Sequence, residues 1–582
     1  MRPLRIARRD GIALPAWAGV HPVLQRIYAA RGIRDPDAIE HRLARLIPPQ
    51  SLGGIDRACE LLQEAIKENR HIVVVGDFDA DGATGTAVAL RGLRLLGAAR
   101  VSYQVPNRFT HGYGLGPSLV DDLAPLAPDL IVTVDNGVAA HAGVAAAKAR
   151  GIAVIVTDHH LPGDTLPAAD AMVNPNLDGD AFPSKALAGV GVVFYLLLAL
   201  RGRLRESGWF ASGTSAARAE PDLGCLLDLV ALGTVADLVP LDYNNRVLVE
   251  AGLRRIRAGK ACAGIAALID VAKRSAATLC ASDLGYALGP RINAAGRLED
   301  MRLGIECLLT DDASRARHLA ETLSSINAER RDLQAQMVEQ GEATIARFLA
   351  RHGSDAFPVG VVLFEDDWHA GVIGLVASKL KERLHRPVIA CAPAGDGSGD
   401  LKASGRSIAG FHLRDALAEV DARTPGLIGR YGGHAMAAGL SLPAARLHEF
   451  AAAFDAVARR RIDAELLDPV LHTDGELLPH EYDLDLARQL RLAGPWGQAF
   501  PEPLFDDEFA VADWRTMGAT HLRLTLKHRA VAASLDAVMF GGYTGSAPPA
   551  RMRAAFQLAI DDWNGRERLR LLIRHYEAAQ GG

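Results

Sequence analysis

Between residues 71 and 160, short apolar runs alternate with Ala- and Leu-rich stretches: HIVVVGDFD, TGTAVALRGLRLLG, ARVSYQVP, DLIVTVDNG, AAHAGVAAAKARG and IAVIVTDHH. Continuous apolar runs bounded by turn residues read as strands buried on both faces. The Ala-rich stretches read as helices, and their alternation predicts β-α units around a parallel sheet. Three of the runs end in acid: Asp77, Asp79 and Asp81 after HIVVV, Asp135 after LIVTV, and Asp158 with His159 and His160 after IAVIVT. In an open α/β sheet the ligand crevice lies beyond the carboxyl ends of the strands. These acids and histidines are therefore expected to converge, although up to eighty positions separate them.

Downstream, the apolar run Ala186 to Leu200 has fifteen residues between Lys185 and Arg201. That is short of the roughly 18 needed to cross a bilayer, so it reads as a buried helix. LLDLVALGTVADLVPL is helix-like and carries Asp237, and the chain to about residue 310 reads as helical around a Gly/Arg-rich insert, GPRINAAGR. A charged stretch from Ala313 to about Arg351, with few breakers, predicts a long helical connector. A second α/β segment starts at FPVGVVLF and runs through GVIGLVASKL, RPVIACAPA and KASGRSIAGF to YGGHAMAAGLSL. Beyond about residue 465, HLRLTL, AVAASLDAVMF and AAFQLAI alternate as short strands, with Asn564-Gly565 as a hairpin turn, which predicts a small β-barrel. The expected organisation is an N-terminal helical segment (1–50), a parallel-sheet α/β domain (51–310), a helical connector (311–352), a second α/β domain (353–464) and a C-terminal barrel (465–582).

Length is consistent with that division: 582 residues at about 150 per domain make about four folding units. The six cysteines (Cys59, Cys225, Cys262, Cys280, Cys307, Cys391) are scattered without a CxxC pair, which argues against a disulfide frame or a zinc knuckle. The first residues are basic but lack a continuous apolar core, so no secretory signal is evident, and a cytoplasmic chain with no membrane partner is expected. A net charge of −5 argues against coating a polyanion by bulk charge. Any nucleic-acid contact must come from local arginines and metal.

Asp77-Phe-Asp79-Ala-Asp81-Gly82 looks like the opening of a calcium loop, but Val88 stands where that loop needs its bidentate Glu, and a strand precedes it. A single strand-end Asp ordinarily caps a helix or a turn. Several at successive strand ends, with Asp-His-His, instead form a donor set for a divalent ion that accepts both carboxylate and imidazole. Mn²⁺ fits best and Mg²⁺ is the alternative. Four or more acids in one crevice repel each other unless cations neutralise them, so a pair of ions is expected. Such a pair activates water and stabilises the leaving oxygen of an in-line phosphoryl displacement, so the chemistry indicated is phosphoester hydrolysis.

TDHH at 157–160, with GDFDADG at 76–82, VTVDNG at 132–137 and GTVADLVPL at 233–241, resembles the DHH phosphoesterase superfamily. Within it, SLGGIDRA, NRFTHGYGLG, GPRINAAGRL, DWHAGVIGLVASKL, SGRSIAGFHL, YGGHAMAAGL and GPWGQAFPEPLF extend the likeness to the RecJ family from about residue 50 onward. The resemblance implies a DHH domain, a DHHA1-like domain and an OB-fold barrel. It also implies that Asp135 bridges two ions, that Asp79 binds one, and that Asp81, His159 and Asp237 complete the other. Asp77 and Asp158 would support or orient these ligands, and His160 would face the scissile phosphate. One departure stands out: many superfamily members carry a His four residues before the acid matching Asp79, where this chain has Val75. The first ion would then have one protein ligand fewer.

Arginine matches phosphate oxygens bidentately, so Arg108, Arg291, Arg297 and the Ser404/Arg406 pair, in stretches that read as Gly-rich loops, are candidate phosphate contacts. The resemblance adds His434, next to Gly432 and Gly433, and Tyr113 is a candidate platform for base stacking. A crevice enclosed by two α/β domains and a barrel would exclude duplex. The expected function is a metal-dependent exonuclease that degrades single-stranded DNA in recombination and repair, with the 5′ to 3′ direction implied by the resemblance alone. It would act as a monomer alongside a helicase and a single-strand-binding protein. The alternatives are a small-substrate phosphodiesterase of the same superfamily (an oligoribonuclease or cyclic-dinucleotide phosphodiesterase) and a non-catalytic replication scaffold.

Overall fold

A computed structural model of the chain describes residues 4–11, 14–108, 111–210, 219–353, 356–395, 397–563 and 566–579. It divides into two compact units. The N-terminal unit comprises Gly11–Asn327 with Arg488–Pro503, and the C-terminal unit comprises Met1–Asp10, Ala328–Ala487 and Leu504–Gly582. The chain passes from one to the other within a single helix, Ala313–His352. No helix among the described residues is long and apolar enough to cross a membrane.

After a short strand β1 (Arg5–Arg8), the N-terminal unit builds a five-stranded sheet from β2 (Ile72–Val75), β3 (Val101–Gln104), β4 (Leu130–Val134), β5 (Ala153–Thr157) and β6 (Ala171–Val173). Its order is β3-β2-β4-β5-β6 and every pairing is parallel. β2, β4 and most of β5 are buried on both faces, which is why they read as unbroken apolar runs. On one face Val73, Val75, Ile131, Val154 and Val156 pack with Leu119, Leu123 and Val144 from the helices Pro117–Leu123 and His141–Ala149. On the other lie the helices Ala80–Leu96 and Gly189–Glu206. Their approach is close: a Cβ on Gly85 would stand 2.5 Å from Val134 Cγ1, and one on Gly92 would stand 2.3 Å from Leu197 Cδ1. Sheet order reverses between β2 and β4, and such a switch point opens a crevice at the strand ends.

The C-terminal unit contains a mixed sheet of order β10-β11-β9-β8-β7, formed by β7 (Val361–Phe364), β8 (Val388–Pro393), β9 (Asp400–Arg406), β10 (Arg430–Gly433) and β11 (Ala437–Pro443). β7 and β8 pair in parallel and the others antiparallel. Phe450, Phe454, Leu413 and Leu417 from the helices Leu413–Arg423 and Leu447–Arg461 fill its core. Further on, β12 (Val470–Thr473) pairs in parallel with β1. The chain ends in a closed five-stranded barrel, order β13-β14-β15-β17-β16, from β13 (Phe505–Met517), β14 (His521–His528), β15 (Leu535–Met539), β16 (Arg551–Trp563) and β17 (Arg566–Ala578). Leu522, Leu524 and Leu526 alternate inward along β14, and Phe505, Phe509 and Phe556 fill the barrel. The expected turn residues Asn564-Gly565 lie outside the described residues.

Local structure differs from the sequence reading at two places. GPRINAAGR is the helix Gly289–Leu298, not a Gly-rich loop. Pro290 suits its first turn, and Ile292, Ala294 and Ala295 are buried. Its Gly296 serves packing, because a Cβ there would stand 1.9 Å from the Phe78 carbonyl oxygen. SGRS ends strand β9 and is not a loop, and Tyr431, Gly432 and Gly433 lie on strand β10.

Phe556 is fully buried between Phe505, Phe509 and Tyr482. Phe556→Ala should destabilise the barrel by about 3–5 kcal/mol, read as a lower urea midpoint for the β-rich transition. A midpoint unchanged from wild type would contradict this packing.

Candidate metal centre

The carboxyl ends of β2, β4 and β5 deliver their acids to one place. Asp79 caps the helix Ala80–Leu96, its Oδ1 accepting from the Gly82 N–H at 3.0 Å, and Asn293 Oδ1 accepts from the Ala80 N–H at 2.8 Å. Asp81, one turn in, accepts the Gly189 N–H at 2.6 Å and the Val190 N–H at 2.9 Å, the first amides of the helix Gly189–Glu206. Those donors fix the carboxylate where the helix dipole favours negative charge. Asp135 follows β4 in the left-handed region, φ 62°. A Cβ on Gly189 would stand 2.6 Å from its Cβ, so glycine is what lets that helix start so close. Asp237 caps the end of the helix Leu227–Ala236.

His159 is the hub. Its Nε2 lies 3.0 Å from Asp135 Oδ1, 3.5 Å from Asp237 Oδ2 and 3.8 Å from Asp81 Oδ2. His160 turns its Nδ1 to Asp158 Oδ1 at 2.8 Å, with Asp135 Oδ1 at 3.9 Å. Asp158 itself accepts the N–H groups of Val138, His159 and His160. Three overlapping groups bring ligand atoms within 4.8 Å of one another: Asp81, His159 and Asp237; Asp77, Asp79 and Asp135; and Asp135, His159 and His160. Asp135 belongs to two of them.

Charge at the site is unbalanced. Burial, reinforced by neighbouring carboxylates, holds Asp77, Asp135 and Asp237 well above the usual carboxylate range and raises Asp81 to about 7. Burial lowers His159 to about 4, which leaves its imidazole neutral and able to donate a lone pair. Burial opposes the charged forms of His160 and Asp158, but their mutual hydrogen bond outweighs it, so His160 is raised and Asp158 lowered. One neutral imidazole among four or more carboxylates is a hard-to-borderline divalent site, and the buried Asp77 Oδ1 has no hydrogen-bond partner to satisfy it. The residues present fit a pair of Mn²⁺ or Mg²⁺ ions.

Around this centre, the Arg108 guanidinium lies over the Phe78 ring at 4.0 Å, and its buried Nε lacks a hydrogen-bond partner among the described residues. Tyr113 is 54% exposed, its hydroxyl donating to the Asp135 carbonyl at 2.9 Å and lying 3.3 Å from His160 Nδ1. Arg291 and Arg297 lie on the helix Gly289–Leu298, where Arg291 Nη1 donates to the Ala287 carbonyl. In the C-terminal unit Arg406 Nη1 donates to Ser404 Oγ at 3.1 Å, and Gly432, Gly433 and His434 are exposed at the β10–β11 hairpin. Val75 is fully buried within β2. Trp368 is core, its Nε1 donating to Gln340 Oε1.

Sequence reasoning missed the asparagines that hold this centre. Asn136 Nδ2 donates to the carbonyls of Val75 and Val134, tying β2 to β4 beside Asp135. Asn176 and Asn174 donate to the carbonyls of His159 and His160. Their one sequence signal is position: Asn136 directly follows a strand-end acid, and NPN directly follows β6.

Three family models match in chain order: the DHH family N-terminal domain at 71–234, the DHHA1 domain at 357–460 and the RecJ OB domain at 473–575. The chain is 53% identical over 556 residues to the single-stranded-DNA-specific exonuclease RecJ of Dickeya dadantii, covering 95% of each chain. It belongs to the RecJ family. The RecJ of Escherichia coli is 50% identical, with 96% of each chain covered. Thermus thermophilus RecJ solved with Mn²⁺ superposes at TM-score 0.79 and 32% identity, covering 99% of this chain and 80% of that one. The same RecJ solved with Mg²⁺ gives 0.74 and 31%, covering 99% and 79%. One of these RecJ structures was solved with Mn²⁺ and the other with Mg²⁺, the two kinds of ion that the donor set suits.

Raised carboxylate values set the sign of a pH effect. A group whose folded value exceeds its unfolded value favours folding at low pH and loses that contribution as pH rises through the folded value. Divalent ions favour the ionised forms and so compete with those protons. The rise in Tm caused by Mn²⁺ should therefore be larger at about pH 8 than at about pH 5.5. Equal rises at both would show that these acids do not gather at the ion.

Proposed function

We propose that this chain removes nucleotides from the 5′ end of single-stranded DNA by metal-dependent phosphodiester hydrolysis, in recombination and repair. The observation that carries the reading is the convergence of Asp81, Asp135 and Asp237 on the neutral His159. Its membership of the RecJ family supports the substrate class. A pair of divalent ions, when bound, supplies water activation and charge neutralisation on the phosphoryl oxygens.

The chain's own residues do the rest. Asp81, His159 and Asp237 would hold one ion, Asp77 and Asp79 the other, and Asp135 would serve both. Neutral His159 keeps its lone pair available, while His160, one-third exposed and hydrogen-bonded to Asp158, which favours its protonated form, would face the scissile phosphate. Arg108, Arg291 and Arg297 would brace phosphate oxygens along the strand, and Tyr113 offers a ring to a base. Ser404, Arg406, Gly432, Gly433 and His434 supply further phosphate contacts from the C-terminal unit. The enzyme acts as a monomer on strands opened by a helicase or held by a single-strand-binding protein.

Asp135→Asn should lower kcat by on the order of 10³-fold or more, the scale of removing a charge-stabilising group, with the Tm retained. Near-normal turnover would contradict its role. End-labelled strands blocked at the 5′ end should resist digestion, strands blocked at the 3′ end should be degraded in Mn²⁺ or Mg²⁺, and EDTA should stop both. The reverse pattern overturns the polarity, and blunt duplex degraded as fast as single strand overturns the substrate class.

A further inference from the structure

The loop that follows Asp237 is gripped by a segment far away in sequence. Leu238 adopts φ 61° and is 64% exposed, and the chain then descends through Pro240 to the buried Leu241. There the backbone is held at both of its polar groups. The Leu241 N–H donates to the Gln498 carbonyl at 2.8 Å, and the Leu241 carbonyl accepts from Arg246 Nη1 at 2.9 Å. The Arg246 guanidinium lies under the Phe500 ring at 4.3 Å. Residues 494–500 therefore reach Leu241 by two routes, one direct and one through Arg246.

This segment is rigidly seated in the N-terminal unit. Trp496 and Phe500 stack on each other at 5.1 Å and on Tyr28 at 6.0 and 6.4 Å. The Tyr28 hydroxyl donates to the Ala493 carbonyl at 2.7 Å, and Arg31 Nε donates to the Pro501 carbonyl at 2.8 Å. Gly497 and Phe500 are bridged to each other by backbone hydrogen bonds. Fit at Leu241 is tight, since a Cβ on Gly497 would stand 2.7 Å from Leu241 Cδ1 and 3.2 Å from its Cγ.

We infer that residues 494–500 form a positioning clasp for Asp237. Asp237 terminates a helix on one side, its N–H donating to the Gly233 carbonyl at 3.0 Å, and is tied to Leu241 by a short link stiffened by Pro240 on the other. Fixing Leu241 fixes the link, and the link aims the carboxylate at His159. Gly497, Phe500 and Arg246 touch no ligand atom of the ion. They act through Asp237, and so set how tightly the Asp81–His159–Asp237 group holds its ion. The inference rests on the metal-dependent reading above.

The test measures Mn²⁺ binding by calorimetry to full-length, chelator-stripped protein in the absence of DNA. Gly497→Ala, which drives a methyl into Leu241, and Phe500→Leu, which removes the ring over Arg246, should each weaken Mn²⁺ binding by about 10-fold, the scale of losing a group that orients a ligand. The KM for a single strand at saturating Mn²⁺ should stay at the wild-type value, while the metal-free Tm falls by a few degrees, the cost of the lost or crowded buried contacts. Gly497→Ala combined with Leu241→Ala, which reopens the space, should recover binding. Wild-type Mn²⁺ affinity in both single variants, or a loss in Gly497→Ala that the added Leu241→Ala leaves unrecovered, overturns the clasp. Should Gly497→Ala fail to fold, Phe500→Leu decides by the same readings. A wild-type chain that itself binds no Mn²⁺ overturns the metal-dependent reading and the clasp with it. Wild-type binding equalled by the variants overturns the clasp alone.

Discussion

Mutual repulsion among carboxylates that the fold buries together is the constraint that shapes this molecule. Left to themselves, Asp77, Asp81, Asp135 and Asp237 would turn away from one another or keep their protons. The surrounding structure prevents the first outcome. Two helix-start amides grip Asp81, a left-handed backbone turns Asp135, and a glycine at the opposing helix start leaves room for it. Of these, the left-handed backbone at Asp135 gives up some stability for placement. Together they keep the acids facing one another, an arrangement that becomes favourable once positive charge sits among them.

Adjacent histidines illustrate how finely environment divides labour. His159 and His160 are neighbours in sequence, and their rings lie 4.5 Å apart. Yet one is held neutral, because burial and its neighbouring ring disfavour a second proton, while in the other the facing Asp158 outweighs burial and shifts the ring toward its protonated form. Asp158 can hold that charge since three backbone amides already satisfy it. The two neighbouring rings are thus shifted in opposite directions.

Much of this was legible in the sequence, for a physical reason. Strands buried on both faces must be apolar throughout, so their ends stand out, and the acids at those ends are conspicuous. The barrel was legible by the opposite signature, the inward alternation of Leu522, Leu524 and Leu526. GPRINAAGR misled because its glycines suggest a loop, whereas Gly296 is there to let a helix touch the Phe78 carbonyl. Asn136, Asn174 and Asn176 were invisible because a side chain bonded to a distant carbonyl leaves no periodic trace. The return of 488–503 to the N-terminal unit was equally hidden, since its Pro, Gly and aromatic residues read as a lead-in to the barrel.

The pairing of β1 with β12 has an implication for how the chain is made. Arg8 meets Asp506, and the Ile6 N–H meets Glu577 Oε1 across 571 positions of sequence. During vectorial synthesis β1 emerges well before β12 and the barrel residues it contacts, and it cannot pair until they have been made. Most of the N-terminal unit precedes those partners along the chain, so Arg5–Arg8 is expected to close as a late seam, after that unit has collapsed.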